Sequence, residues 1–322
     1  MQQEAILVAG PSDASGLVLG QREVPEAGPG QVQVKVAAIG VNFIETYQRS
    51  GVYKVDYPFT PGSEFSGVIT QVGDGVQNYK VGDRIATASG ANGYAQYAVV
   101  EADAIAKVPD TVDLNVAAAL PLQGMTAHYL VHNSYMVHKG DVILTYAGAG
   151  GVGLLLTQLL KLKGATVITT ASTQEKKDLA KAAGADYVVD YDQVAATVAE
   201  VTEGAGVHAV YDGIGKDTFD GSLAALRRRG TLVLFGGASG QVPPFDLQRL
   251  NAGGSLSVTR PKLGDFIATP DELHWRFGDI MGWTAAGQLD VRIGATYPLA
   301  QAAAAHTALE SRSTTGKVLL VP

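Results

Sequence analysis

The sequence predicts a two-domain α/β chain: a β-rich, barrel-like domain beside a doubly wound, parallel six-stranded sheet. Three observations predict it. Short alternating strands and turns fill residues 1–122. Strand and helix patterns alternate over 123–260. A strand, a glycine turn and a helix follow one another without a break from Gly140 to Lys161. The 322 residues are enough for about two domains.

In the first region, Gln31 to Val36 alternates polar and apolar residues, as a half-buried strand does. Tyr94 to Val100 reads as another strand. Val72–Val76 and Val81–Arg84 carry turn chemistry. Residues 261–322 hold a helix over the run Ala302 to Ala305 and an apolar last strand, Lys317 to Val321. That strand must join a sheet, and we expect it in the first domain. Residues 1–122 and 261–322 then form one domain, with 123–260 inserted between them.

In the inserted region strands are expected at 142–146, 166–170, 187–190, 208–212, 231–235 and 255–259. Helices fall between most of them, including Thr173–Ala183 and Thr218–Leu226. Short strands joined by helical crossovers imply a parallel sheet covered on both faces. The first of these strands runs into Gly148, Gly150 and Gly153, a G-x-G-x-x-G dinucleotide fingerprint. The first glycine permits a tight turn, the second lets backbone approach a diphosphate, and the third lets helix pack on strand. The helix after it is leucine-rich, and its N-terminus suits an anion.

Composition narrows the function. The chain is 46% hydrophobic and 17% charged, ordinary for a globular core. A net charge of -7 argues against nucleic acid or an anionic membrane as the main partner. There is no Cys, which removes disulfides, thiolate nucleophiles and every Cys-based zinc site. With no basic-then-apolar leader and no membrane-length apolar run, a cytoplasmic location is expected.

The residues after the second strand of the parallel sheet indicate which dinucleotide binds. An NAD site places a carboxylate there, roughly 20 residues past the fingerprint, on the ribose 2′-OH. Here Thr166–Thr170 is followed by Ala171, Ser172 and Thr173, with Lys176 one turn on. A hydroxyl and a cation suit a 2′-phosphate, so NADPH is expected. Ser172 and Thr173 are also ordinary helix caps.

With these residues in view, the chain resembles the zinc-free quinone oxidoreductases of the medium-chain dehydrogenase/reductase superfamily, relatives of zeta-crystallin. The likeness runs through Asn42–Tyr53, Pro61–Gly67, Gly140–Lys161 with Gln158, Val258–Pro261 and Leu309–Ser313. It implies a GroES-like catalytic domain, a Rossmann domain, NADPH and a homodimer. By resemblance, Asn42 and Thr46 lie near the nicotinamide and its ribose. Gly150, Gly151 and Val152 hold the diphosphate, and Ser172, Lys176 and Tyr191 surround the 2′-phosphate. Gly213, Phe235, Gly236 and Ser239 line the groove, and Arg260 and Arg312 reach the cofactor or the cleft mouth. Two positions depart from the family: Gly148 stands where alanine is common, and His128 where an aromatic is.

Without a Cys-bound Lewis acid, reduction rests on hydride positioning and hydrogen bonding. Tyr47 and Tyr53 are assigned as donors to the acceptor oxygen and Asn42 as orienter. Their bland alternative is packing with one wet end. His128 and His132 are spaced i, i+4, but no third ligand accompanies them. Arg227–Arg229 is expected between helix and strand, as a helix C-terminal charge cluster. Three functions follow: an NADPH:quinone reductase; an enone, 2-alkenal or enoyl thioester reductase; and a non-catalytic NADPH- or RNA-binding protein.

Overall fold

A computed structural model describes residues 1–311 and 313–322. It divides into two compact units, Met1–Gln123 with Thr269–Pro322, and Gly124–Ala268. The segment 261–268 goes with the second unit rather than the first. There the Phe266 ring stacks on Tyr129 at 4.3 Å, tying this connection to the inserted region.

The first unit begins with β1 (Gln2–Leu7), β2 (Val18–Glu23), β3 (Gln31–Val41), α1 (Phe43–Arg49), β4 (Phe65–Val72) and β5 (Arg84–Thr87). It continues through β6 (Tyr97–Glu101), β7 (Ala106–Lys107), α2 (Leu114–Ala118) and α3 (Pro121–Tyr129), the helix that leads into the second unit. The second unit runs β8 (Val142–Thr145), α4 (Gly151–Leu162), β9 (Thr166–Thr170), α5 (Gln174–Ala182), β10 (Tyr187–Val189) and α6 (Val194–Val201). It closes with β11 (Val207–Asp212), α7 (Phe219–Ala224), β12 (Leu226–Leu234), α8 (Gln248–Ala252) and β13 (Ser257–Thr259). The chain returns to the first unit as α9 (Pro270–Ala285), β14 (Ile293–Pro298), α10 (Ala302–Glu310) and β15 (Lys317–Val321).

In the first unit β3 is the organising strand. It pairs antiparallel with β4, β6 and β15, so the apolar last strand of the chain is buried beside it. Val32, Val34, Val36, Ile39 and Val41 of β3 form the core with Phe65, Ile69, Val318 and Leu320. Their alternation along each strand puts one face inward. The strand expected at Tyr94–Val100 starts later, at Tyr97. Tyr94 and Ala95 instead bond back to β1, through Ile6 N–H to the Tyr94 carbonyl at 2.9 Å and an Ala5–Ala95 bridge.

The second unit is a six-stranded sheet in the order β10-β9-β8-β11-β12-β13, every pairing parallel. This is the doubly wound order, and it reverses direction between β8 and β11. Because all strands run one way, their C-terminal ends lie along one edge. Arg227–Arg229 belongs to β12 rather than to a helix end. Leu226 is drawn into register with Val207, so the strand begins five residues before the expected 231. Arg229 takes φ 60 there and its N–H reaches the Gly254 carbonyl at 2.8 Å.

Candidate active site

The fingerprint is a tight turn whose first and third glycines leave no room for a side chain. Ala147 takes φ 53, and Gly150 caps α4 in an extended conformation. A Cβ on Gly148 would lie 2.6 Å from the Thr169 side chain. One on Gly153 would lie 2.3 Å from the Ala147 carbonyl oxygen. Gly148 therefore admits β9, and Gly153 lets α4 close against the turn. Beyond Gly150 the first N–H groups of α4, on Gly151, Val152 and Gly153, have no intrahelical acceptor and carry the positive end of the dipole.

The other expected cofactor residues stand at the ends of the remaining strands. After β9, Ala171 is buried, Ser172 is exposed and Thr173 caps α5, accepting from Lys176 N–H at 3.3 Å. The cap is Thr173 alone, and no carboxylate occupies the strand end. Tyr191 follows β10, and its ring stacks on Tyr146 at 5.9 Å. Gly213 follows β11, and Phe235 and Gly236 follow β12. A Cβ on Gly236 would lie 2.5 Å from the Gly213 carbonyl oxygen, so these two loops touch backbone to backbone. Ser239 is spent within that contact, its Oγ accepting from Asp217 N–H and donating to the Ile214 carbonyl. Arg260 is exposed just past β13. The expected residues thus stand after all six strands, on the edge where open parallel sheets bind ligands. Arg312 lies outside the described residues.

In the first unit the Asn42–Tyr53 motif forms α1 and its exit. Asn42 caps the helix, and its backbone N–H donates to the Glu45 carboxylate at 3.0 Å, half of a capping box. Thr46 is buried and donates to the Phe43 carbonyl at 2.8 Å. The Tyr47 and Tyr53 rings are 5.4 Å apart and tilted. Tyr53 N–H bonds to the Tyr47 carbonyl at 3.0 Å, and Tyr53 is 47% exposed.

Behind Asn42 lies a charge cluster that sequence reasoning missed. Its amide nitrogen donates to Glu64 at 2.9 Å, and its amide oxygen accepts from Lys317 Nζ at 2.6 Å. Lys317 also pairs with Glu64, whose second oxygen accepts from Leu122 N–H at 2.6 Å. Glu64 and Lys317 are 0% and 1% exposed. A Cβ on Gly40 would sit 2.1 Å from Glu64, so that glycine makes room for the pair. Beside them Glu45 is fully buried. Desolvation pushes its carboxyl up to about 7, although Lys317 and the Ser63 hydroxyl pull it down. The one sequence signal was a lysine opening an otherwise apolar strand.

His128 is buried and stacks on His132 at 4.1 Å, on the last turns of α3 and its extension. Among the described residues no group of three His, Cys, Asp or Glu is placed to hold a metal ion, and no helix is long and apolar enough to cross a membrane.

The site's parts match known proteins over the whole chain. Residues 28–110 match the alcohol dehydrogenase GroES-like domain family, and residues 151–273 match the family described as zinc-binding dehydrogenase. The quinone oxidoreductase of Pseudomonas aeruginosa is 42% identical over 92% of this chain and 93% of its own. A mycobacterial protein solved in complex with NADPH is 48% identical, covering 99% of this chain and 100% of its own, with a TM-score of 0.96. The Escherichia coli quinone oxidoreductase, also solved with NADPH, is 37% identical at the same coverage and a TM-score of 0.96.

Proposed function

The chain belongs to the quinone oxidoreductases of the medium-chain dehydrogenase/reductase superfamily, and we propose that it reduces a quinone with NADPH and without a metal ion. The observation that carries the reading is the bare-backbone edge of the parallel sheet. It ends in a helix N-terminus for a diphosphate and in a hydroxyl, not a carboxylate, after β9. Two relatives with this fold were solved with NADPH, which supports the same cofactor here. With no Cys in the chain, the Cys-based zinc site of other superfamily members has no ligands.

Bound NADPH supplies the hydride; the chain binds, orients and donates hydrogen bonds. Gly150, Gly151 and Val152 hold the diphosphate through backbone N–H groups. Ser172, Lys176 and Tyr191 hold the 2′-phosphate end. Gly213, Phe235, Gly236 and Ser239 shape the groove by close backbone approach, and Arg260 adds positive charge to it. In the first unit Asn42 and Thr46 serve the nicotinamide end, and Tyr47 and Tyr53 donate to the quinone oxygen. A quinone is electrophilic enough to need no strong acid, so neutral phenols suffice. We also propose a homodimer in the cytoplasm. The edge strand β13 has one unpaired side and an exposed Val258, which suits pairing with a second copy.

The test is NADPH oxidation with benzoquinone and phenanthrenequinone, against NADH and against a 2-alkenal. Quinone turnover with NADPH preferred is expected. Turnover of the alkenal alone would favour the enone reductase, and cofactor binding with no turnover would favour a binding protein. A Lys176→Glu variant should lose NADPH affinity by about ten-fold or more while NADH is little changed. An unchanged preference removes Lys176 from the 2′-phosphate site.

A further inference from the structure

Asp212 is the last residue of β11 and is 0% exposed, yet it carries a carboxylate in the middle of the second unit's core. Among the described residues it is held by hydrogen bonds and no ion pair. Oδ1 accepts from Ile214 N–H at 2.8 Å, from Gly215 N–H at 3.0 Å and from the Thr218 hydroxyl at 2.9 Å. Oδ2 lies 2.8 Å from the Thr218 hydroxyl and accepts from the Ser222 hydroxyl at 2.8 Å. Burying a carboxylate costs several kcal/mol unless its lone pairs are filled, so this one is retained for what it organises.

What it organises is the cofactor edge. The side chain folds the loop that begins with Gly213. Its own carbonyl accepts from Phe235 N–H at 2.9 Å and Gly236 N–H at 3.4 Å, which fixes the loop after β12. Ser222 Oγ is also 3.3 Å from the Tyr146 hydroxyl. Ser222 has one proton; with that proton given to Asp212, the Tyr146 phenol donates to Ser222. Burial pushes the Tyr146 phenol up to about 12, so it keeps its proton for that bond. The Tyr146 ring then stacks on Tyr191, at the end assigned to the 2′-phosphate. The buried carboxylate is thus connected to the ends of β8, β10 and β11, and the main-chain carbonyl of the same residue to the end of β12.

We propose that Asp212 is a positioning residue for the dinucleotide, its carboxylate acting through the Gly213 loop, whose Gly213 and Ile214 carbonyls accept from Ala238 and Ser239 N–H, and through Ser222 and Tyr146. It does not touch the cofactor. The proposal rests on the NADPH reading above and adds to it the device that holds the second unit's strand-end loops in register.

The test uses the full chain, NADPH fluorescence for affinity, adenosine 2′,5′-bisphosphate as a probe of the phosphate end alone, and steady-state kinetics. Asp212→Ala leaves two buried N–H groups without a charged acceptor and should weaken NADPH by about ten-fold or more. Asp212→Asn keeps one oxygen for those N–H groups, and the two hydroxyls can turn to accept from its amide. It should restore affinity to within about three-fold of wild type, a rescue that simple loss of fold would not show. Ser222→Ala cuts the branch to Tyr146 and one hydroxyl bond to Oδ2, and leaves the Ile214, Gly215 and Thr218 bonds in place. It should weaken the bisphosphate while leaving the quinone KM near wild type, with a lowered but still cooperative unfolding transition, and it carries the test if Asp212→Ala does not fold. Wild-type affinity in a folded Asp212→Ala, an Asn variant no better than Ala, or unchanged bisphosphate binding in Ser222→Ala would each overturn the proposal. Failure of the wild type to bind NADPH would instead remove the functional reading, and this proposal with it.

Discussion

Replacing Lys317 by methionine tests how the first unit is held together. The substitution keeps the volume of the side chain and deletes its charge. Glu64 then stays 0% exposed, with its remaining bonds from Asn42 and Leu122 N–H but no cation. Breaking one side of a buried pair costs about 3–5 kcal/mol, because the stranded charge cannot reach water. At about 2–4 °C per kcal/mol for a domain of 150–250 residues, the unfolding midpoint should fall by roughly 6–20 °C. Thermal unfolding of variant and wild type at one pH and salt measures it. The double variant Glu64→Gln, Lys317→Met removes both charges and leaves an amide to accept from Leu122. It should recover most of the loss, since neutral replacements of buried pairs cost little. A single variant within about 1 kcal/mol of wild type, or a double variant no more stable than the single, would refute the reasoning.

Glu45 makes stability depend on pH. Its carboxyl is raised from 4.5 to about 7, so between those values the folded chain holds a proton that the unfolded chain releases. Stability from this group therefore falls as pH rises through that window, by about 3 kcal/mol in total. Glu45→Gln should gain on wild type by about that amount between pH 4.5 and 7 in urea unfolding, and parallel pH profiles would count against it. Gly153→Ala puts a methyl 2.3 Å from the Ala147 carbonyl, so α4 must shift off the turn. A loss of about 1–3 kcal/mol, with weakened NADPH binding, is expected from calorimetry and titration, and a neutral result would show that the turn yields. Tyr53→Phe and Tyr47→Phe should each lower quinone kcat by up to about ten-fold with NADPH affinity unchanged. Wild-type kcat in the double phenylalanine variant would leave the tyrosines as packing residues.

The parallel sheet was legible because its rules are local. Gly148, Gly150 and Gly153 are fixed by a turn a few residues long, and Thr166–Thr170 shows its β-branched run within five positions. The missing carboxylate after β9 could be read for the same reason. The start of β12 could not. Three arginines and Gly230 argue against a strand, and only register with Val207 holds Leu226 there. Glu64 and Lys317 were invisible for a different reason: they are 253 residues apart, and each alone looks like a surface charge. Asp212 was placed at the end of the expected strand 208–212, but its partners Thr218 and Ser222 lie in the next helix region, and nothing along the chain shows its carboxylate turned inward onto them.

That difference bears on Asn42. Read along the chain, it is an orienter expected near the nicotinamide, with an amide to offer a ligand. In the fold its amide nitrogen donates to Glu64 and its amide oxygen accepts from Lys317, so both ends of the amide are oriented from behind. An amide fixed in this way cannot flip to suit an acceptor. It has one defined face, and its strongest bonds are already made to charged partners. In the proposed reaction, donation to a quinone oxygen would then fall to hydroxyls on the same motif, and Tyr53 is the more exposed of the two phenols. The buried pair makes Asn42 rigid and leaves the tyrosines to adapt. The same division recurs in the second unit, where the Asp212 carboxylate is withdrawn from solvent and the loop it folds lies at the strand-end edge. In both units the charged group stands one layer behind the surface that is proposed to meet the ligand, and it sets that surface's shape rather than its charge.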